Sequence, residues 1–243
     1  MEQNKTGKYL KYAIGEIILV MIGILLALQV NNWNQNRINR DIEKETLSSL
    51  KIDLDSAMVQ LDEKIRQNSE FRFLDSTALE IIHKNEKIPE DSIQTLLLSH
   101  IFTPGFDPEL GTLNEILNTG KTDIIKNKAL KNHISSWNKY MDELAEVDSK
   151  LLHLDEQLKL PLYSKHLAYR YYYSGYSKNV INSTTHIPYS NFKIDIDTAF
   201  YTLEFENMLS NYMIFGGIQH TRLLDIKQKM NEMILLIEED IKN

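Results

Sequence analysis

The stretch Tyr12–Arg37, YAIGEIILVMIGILLALQVNNWNQNR, decides how the rest of the chain is read. From Ala13 to Val30 run 18 residues in which Glu16 and Gln29 are the only polar side chains. As a helix rising about 1.5 Å per residue, this segment spans about 27 Å, close to the hydrocarbon thickness of a bilayer. Lys8 and Lys11 precede it, Asn31, Asn32 and Asn34 follow it, and Trp33 suits the interfacial belt. The pattern predicts a short basic tail over 1–12, a transmembrane helix over 13–30 and a body over 31–243. The apolar run is longer than the core of a secretory signal, and no small-x-small site follows before Asn31, so the segment reads as a retained anchor.

Lys5, Lys8 and Lys11 lie closer to the span than Arg37, Arg40 and Lys44. Counting basic residues alone places the N-terminus in the cytoplasm and the body outside it. In a two-membrane bacterium that means a single-pass inner-membrane protein with a periplasmic body. The 243 residues carry a net charge of −7; residues 1–37 hold four basic and two acidic side chains, a balance of +2, so the remainder holds −9. An acidic body argues against sequence-independent nucleic-acid binding and against lying on anionic lipid. No Cys is present, so disulfides, Cys-ligated zinc and thiol catalysis are excluded.

Glu16 is the unexpected residue of the span. It lies about 5 Å inside by helix rise, shallow enough for its carboxylate to reach back to the headgroups or a lysine. It also heads a stripe, Glu16–Val20–Gly23–Ala27–Val30, spaced by four and three. Gly23 and Ala27 form a small-xxx-small pair of the kind that lets a second helix approach closely. Snorkelling and helix–helix contact are both open for Glu16; the second would make Glu16, Gly23 and Ala27 a contact to a second copy or to a membrane partner.

KYAIGEIILVMIGILLALQVNNWN (Lys11–Asn34) resembles the start of an uncharacterised membrane-protein family from Bacteroidota, domain of unknown function 6090. Its members open with K-Y-x-x-G-E-I-x-L-V, then G-I-L-x-A-L-Q-x-N-N-W-N, then a charged helix. LNTGKTDIIKNKALKNHISSWNKY (Leu117–Tyr140) is similar to the family's Gly turn and following helix, with Thr119 where Ser is expected before Gly120. The resemblance implies membrane anchoring and an α-helical body; it implies no activity.

Beyond the span, apolar residues recur every three or four positions. Leu47, Leu50, Leu54, Ala57, Leu61 and Ile65 begin one series, which Phe71, Leu74, Ala78 and Ile81 resume, so one helix is predicted from Asn39 to Lys84. Pro89 opens a short helix and Thr103–Gly111 reads as loop. A further short helix is predicted over Thr112–Asn118, stopped by Gly120. A long helix is predicted from near Thr122 to Pro161, and a last one through Met208, Tyr212, Leu223, Met230 and Ile237, interrupted at Gly216–Gly217. Asp62–Arg66, Glu80–Lys84, Glu146–Lys150 and Asp155–Lys159 read as solvent-facing i,i+4 pairs. The expected fold is all-α: an elongated antiparallel bundle of long amphipathic helices, with the short helices completing a fourth side. A coiled coil between copies is the alternative.

The segment 163–195 differs, with Tyr169, Tyr171, Tyr172, Tyr173 and Tyr176 set among Ser, Asn and Thr. It reads as a Tyr-rich loop that either packs on the bundle end or offers a binding surface; NFKIDI (Asn191–Ile196), at its end, is a candidate short strand. Motifs for chemistry are absent. NTGKT (Asn118–Thr122) ends like a phosphate loop, but Glu115 stands where that loop needs Gly. None of the seven His falls in H-x-x-x-H or H-E-x-x-H. Asp53 and Asp55 diverge on a helix, while Asp195 and Asp197 read as caps. The sequence therefore predicts no enzyme, no cofactor and no metal. It predicts a membrane-anchored interaction protein (scaffold, adaptor or accessory subunit), whose partners are the bilayer and a protein or second copy met through the membrane helix. A ligand-sensing bundle that signals through a membrane partner is the alternative.

Overall fold

The computed structural model describes residues 5–98, 105–166, 191–192 and 196–242. It contains α1 (Lys5–Lys84), α2 (Glu90–Leu98), α3 (Gly111–Thr119), a 3₁₀ turn (Lys121–Asp123) and α4 (Lys128–Leu154). A π-helical turn (Asp155–Lys159), α5 (Leu160–His166), α6 (Ile196–Phe200) and α7 (Leu203–Lys242) follow. Among the described residues there is no strand, so the all-α architecture matches the sequence reading. Tyr169, Tyr171, Tyr172, Tyr173 and Tyr176 lie outside the described residues; Tyr163 belongs to α5 and is buried.

Helix α1 has 80 residues, about 120 Å. It has no end between Val30 and Asn31: the membrane-type segment and the first body helix are one helix. The Asn/Gln run from Asn31 to Asn36 holds neither Pro nor Gly, and Asn costs only some tenths of a kcal/mol per position in a helix. The helix closes with a left-handed Asn85 (φ 51°). The Glu86 N–H donates to the Ile81 carbonyl at 3.1 Å and the Asn85 N–H to the Ile82 carbonyl at 3.0 Å, the Schellman pattern.

Three long helices set the body. Arg40 of α1 meets Asp240 of α7, and Asn68 meets Gly216, so α7 runs antiparallel to α1. Asn127 ahead of α4 meets Asp240, and Asp148 meets Gln219, so α7 is antiparallel to α4 as well. The core is in two parts. In the part nearer the bare end of α1, Leu47, Leu50, Leu54 and Leu61 pack with residues of α3, α4 and α7, such as Ile116, Trp137 and Met230. In the far part, Ala78 of α1 joins residues of α2, α5, α6 and α7, such as Leu97, Tyr163, Phe200 and Phe205. The short helices therefore cover the fourth side, α3 over one part of the core and α2 over the other. Each fully buried Leu contributes about 1.5–3 kcal/mol.

Several boundaries differ from the sequence reading. Helix α4 begins at Lys128 rather than near Thr122. Gly120 takes φ 72°, a 3₁₀ turn follows, and Asn127 caps the helix by accepting from the Ala129 and Leu130 N–H groups at 3.0 and 3.2 Å. Pro161 does not end the helical path. The π turn immediately before it widens the backbone, which relieves the clash a proline ring makes with the preceding turn. Helix α7 continues through Gly216 and Gly217 without interruption. Helix α3 starts with no cap of its own; instead Asp53 of α1 accepts the Thr112 N–H at 2.8 Å, while Asp55 pairs with Lys51. Ile196, the last residue of the candidate strand, opens α6.

Candidate functional site

The membrane-type segment is bare. No residue of its most apolar 18-residue window, mean hydropathy 2.1, is buried. By length and composition it is a helix able to cross a membrane. Glu16, Gly23 and Ala27 are exposed on it, and a Cβ added at Gly23 would meet nothing within 4 Å. The helix thus places the three predicted contact residues on one uncovered face.

The bundle begins about 20 Å beyond Val30 by helix rise, at a polar knot the sequence reading missed. Glu43 is fully buried. Its Oε2 accepts from Arg40 Nη1 at 2.8 Å and its Oε1 from the Lys126 backbone N–H at 2.6 Å. Arg40 Nη2 donates to the Asp240 carbonyl at 2.6 Å. One arginine and one carboxylate thereby tie α1, as it enters the bundle, to the chain ahead of α4 and to the last turn of α7. A buried charge held by several directional bonds costs much to break and fixes the relative position of its helices. The sequence carried a signal for it: Glu43 is in phase with Leu47, Leu50 and Leu54, where an apolar residue belongs.

A second polar layer separates the two halves of the core. Asn68 Nδ2 donates to Gln219 Oε1 at 2.8 Å and to the Gly216 carbonyl at 3.0 Å. Gln219 Nε2 then donates to Asp148 Oδ1 at 2.6 Å, so α1, α7 and α4 are joined across the centre. Burial pushes the Asp148 carboxyl up, against the opposing effect of the Gln219 bond. Beside it, the Arg72 side chain lies over Gly216 and Gly217, and burial together with that guanidinium holds His220 below its ordinary range.

Farther along, Asp155 of the π turn takes the Tyr212 hydroxyl and the Lys159 ammonium. Asp155–Lys159 was expected on the surface; it is enclosed, with the lysine side chain 5% exposed. Burial lowers the Lys159 pKa against the raising effect of Asp155, and burial raises that of Tyr212. Asp62, read as a partner of Arg66, instead reaches Lys227 of α7 at 2.6 Å, and Arg66 takes Glu63 and Glu70. Among the described residues no three His, Asp or Glu side chains are grouped to hold a metal. Glu43, Asn68 and Gln219 each bond a group on a distant segment of the chain, which fixes the helices relative to one another.

No curated protein and no solved structure matches the chain. A family model does match, over residues 16–145, more than half of its length. That segment begins at Glu16 and takes in Gly23, Ala27, the Arg40–Glu43 knot and Asn68, and it ends partway along α4. With the apolar stretch, the polar run behind it and the bundle entry all inside the match, the chain belongs to the Family of unknown function (DUF6090).

Proposed function

We propose that the chain is a single-pass membrane-anchored interaction protein, a scaffold or accessory subunit whose helical bundle is held at a fixed height above an inner membrane. The observation that carries this reading is the continuity of α1. A bare apolar segment passes without a break into a helix whose opposite face is core, and the Arg40–Glu43 knot secures the junction. Enclosed polar groups that bond one another suit a rigid body better than a catalytic one. In this reading Glu16, Gly23 and Ala27 contact a protein partner inside the membrane, the N-terminus is cytoplasmic and the body is periplasmic.

The test is threefold, on the full chain. Alkaline washing of membranes should leave it in the pellet; its release would end the anchor reading. A reporter fused after Asn243 and active only outside the cytoplasm should be active; an expressed but inactive one reverses the orientation. Gly23→Leu should lower recovery of whatever co-isolates with the chain, and unchanged recovery would end the contact reading.

A further inference from the structure

Between the apolar segment and the bundle, α1 runs free. Residues 14–38 are all exposed, and among the described residues the first hydrogen bonds from α1 to distant parts of the chain are those of Arg40 and Glu43. The free stretch opens with uncharged residues, Asn31 to Asn36, and its first charge is Arg37. No Asp or Glu stands between Glu16 and Asp41. Asp41 lies one turn farther from the apolar segment than Arg37, near enough along the helix to pair with it. The guanidinium turns the other way. Its Cζ stands 6.0 Å from the centroid of the Trp33 ring, and its Nη2 donates to Asn34 Oδ1 at 3.4 Å. Long helical side chains lean toward the N-terminus, which here is the side of the apolar segment. Arg40 is committed to Glu43 and to the Asp240 carbonyl. Among the described residues, Arg37 meets only a neutral amide and an aromatic face.

Height follows from helix rise. Trp33 stands about 5 Å and Arg37 about 10 Å beyond Val30, the last apolar residue of the segment. The headgroup layer of one leaflet is about 5–8 Å deep. With its side chain folded back toward Trp33, which is 66% exposed, Arg37 carries its charge into that layer. Asp41, about 16 Å out by the same rise, stands clear of it.

We propose that Trp33 and Arg37 bind the phosphate of a membrane phospholipid, the indole seated at the edge of the hydrocarbon and the guanidinium on the phosphate oxygens. The proposal rests on the anchor reading above and names the lipid chemistry that the anchor meets. A guanidinium held over an aromatic face keeps its N–H edge free, and that fork matches two oxygens of one phosphate. The amides of Asn31, Asn32, Asn34, Gln35 and Asn36 bring no negative charge to oppose it. Height selects the occupant, since headgroups surround a helix just past its last apolar residue. Every phospholipid carries the phosphate, so the site needs no net anionic lipid. The acidic bundle, which begins about 20 Å beyond Val30, does not reach it.

The test is a phosphorus-to-carbon distance measurement by solid-state NMR. It uses the full chain, isotope-labelled at the arginine guanidinium carbons, in phosphatidylcholine bilayers. Lipid phosphorus should dephase part of the guanidinium signal. Arg37→Gln should remove that part, and Trp33→Leu should cut it severalfold. Depth is read in the same bilayers. The chain has 2 Trp, so in the Trp137→Phe variant all the tryptophan emission comes from Trp33, and lipid carrying bromine on its acyl chains should quench it. Quenched Trp33 with no dephasing that depends on Arg37 would overturn this proposal and leave the anchor intact. Unquenched Trp33 would remove both. Dephasing that persists in bilayers of a phosphate-free galactolipid, with inorganic phosphate in the buffer, would overturn the lipid source in favour of a free-anion site.

Discussion

The side-chain amide of Asn68 donates to the side-chain carbonyl oxygen of Gln219 at 2.8 Å, in a layer where all three long helices exchange side-chain hydrogen bonds. Both residues are buried, in positions whose helical phase otherwise belongs to Leu and Met. A leucine slipping into either place would leave its neighbours' polar groups dry. The layer therefore favours one register of α1 against α7 over registers shifted by a turn.

Gln219→Leu should destabilise the bundle by about 2–4 kcal/mol, because it strips a partner from both Asn68 and Asp148 inside the core. The double variant Gln219→Leu with Asn68→Leu should be less destabilised than the sum of the single changes. Denaturant unfolding of the detergent-solubilised chain measures both. Additive losses would show that the two amides do not act as a unit.

Lys159→Met should cost about 3 kcal/mol, since it takes the ammonium away from an enclosed Asp155. Glu146 and Lys150 form a pair of the same spacing at 2.7 Å, but both side chains are at least half exposed. Lys150→Met should change stability by less than about 1 kcal/mol. Comparing the two separates a pair that builds the fold from one that decorates it.

His220 contributes a pH dependence. Its folded-state pKa is lowered, by burial first and by Arg72 second. The neutral imidazole is thus the form the fold prefers. Its contribution is present above the ordinary value of about 6.5 and is lost as pH falls through the lowered folded value. His220→Gln should flatten this acid-side loss. Arg72→Met should move the His220 titration, followed by NMR, upward toward the ordinary range. An unchanged titration would mean that the guanidinium is not felt by the ring.

Gly216→Ala should stabilise the chain by about 0.5–1 kcal/mol in thermal unfolding. The position is helical, an added Cβ meets only the Arg72 stem, Cγ at 3.5 Å and Cδ at 3.8 Å, and Ala is the better helix former. Gly216→Leu should destabilise, because it displaces the arginine stem. Asn85→Gly should also stabilise slightly, since Asn85 holds φ 51° where glycine carries no Cβ penalty.

Much of this could be read from the chain. The apolar stretch, the helix from Asn39 to Lys84, the stop at Gly120 and the short helices near Pro89 and Thr112 follow from local rules: periodicity, proline, glycine and length. The misread points share a cause. The start of α4, the passage through Pro161 and the continuity of α7 at Gly216–Gly217 were judged from residues that break isolated helices. In the folded chain Asn127 caps, a π turn makes room for the proline ring, and packing under Arg72 and Asn68 holds the glycines helical. Charge pairing failed for a related reason. Asp62 has Arg66 one turn away, yet it meets Lys227, because neighbouring helices bring cations as close as the next turn does.

By itself, then, the sequence determined which segment can enter a membrane, that the body is helical, and where the apolar stripes run, because each is a matter of composition and period along one helix. Only the tertiary structure decided what the polar residues in those stripes do. Glu43, Asn68 and Gln219 occupy core phases, and a polar group there is satisfied or ruinous according to what a distant helix places opposite it. Tertiary packing also decided which face of α1 stays bare. Leu50, Leu54 and Leu61 are buried in the bundle, while Ile52 and Val59 on the other side of the same helix are exposed.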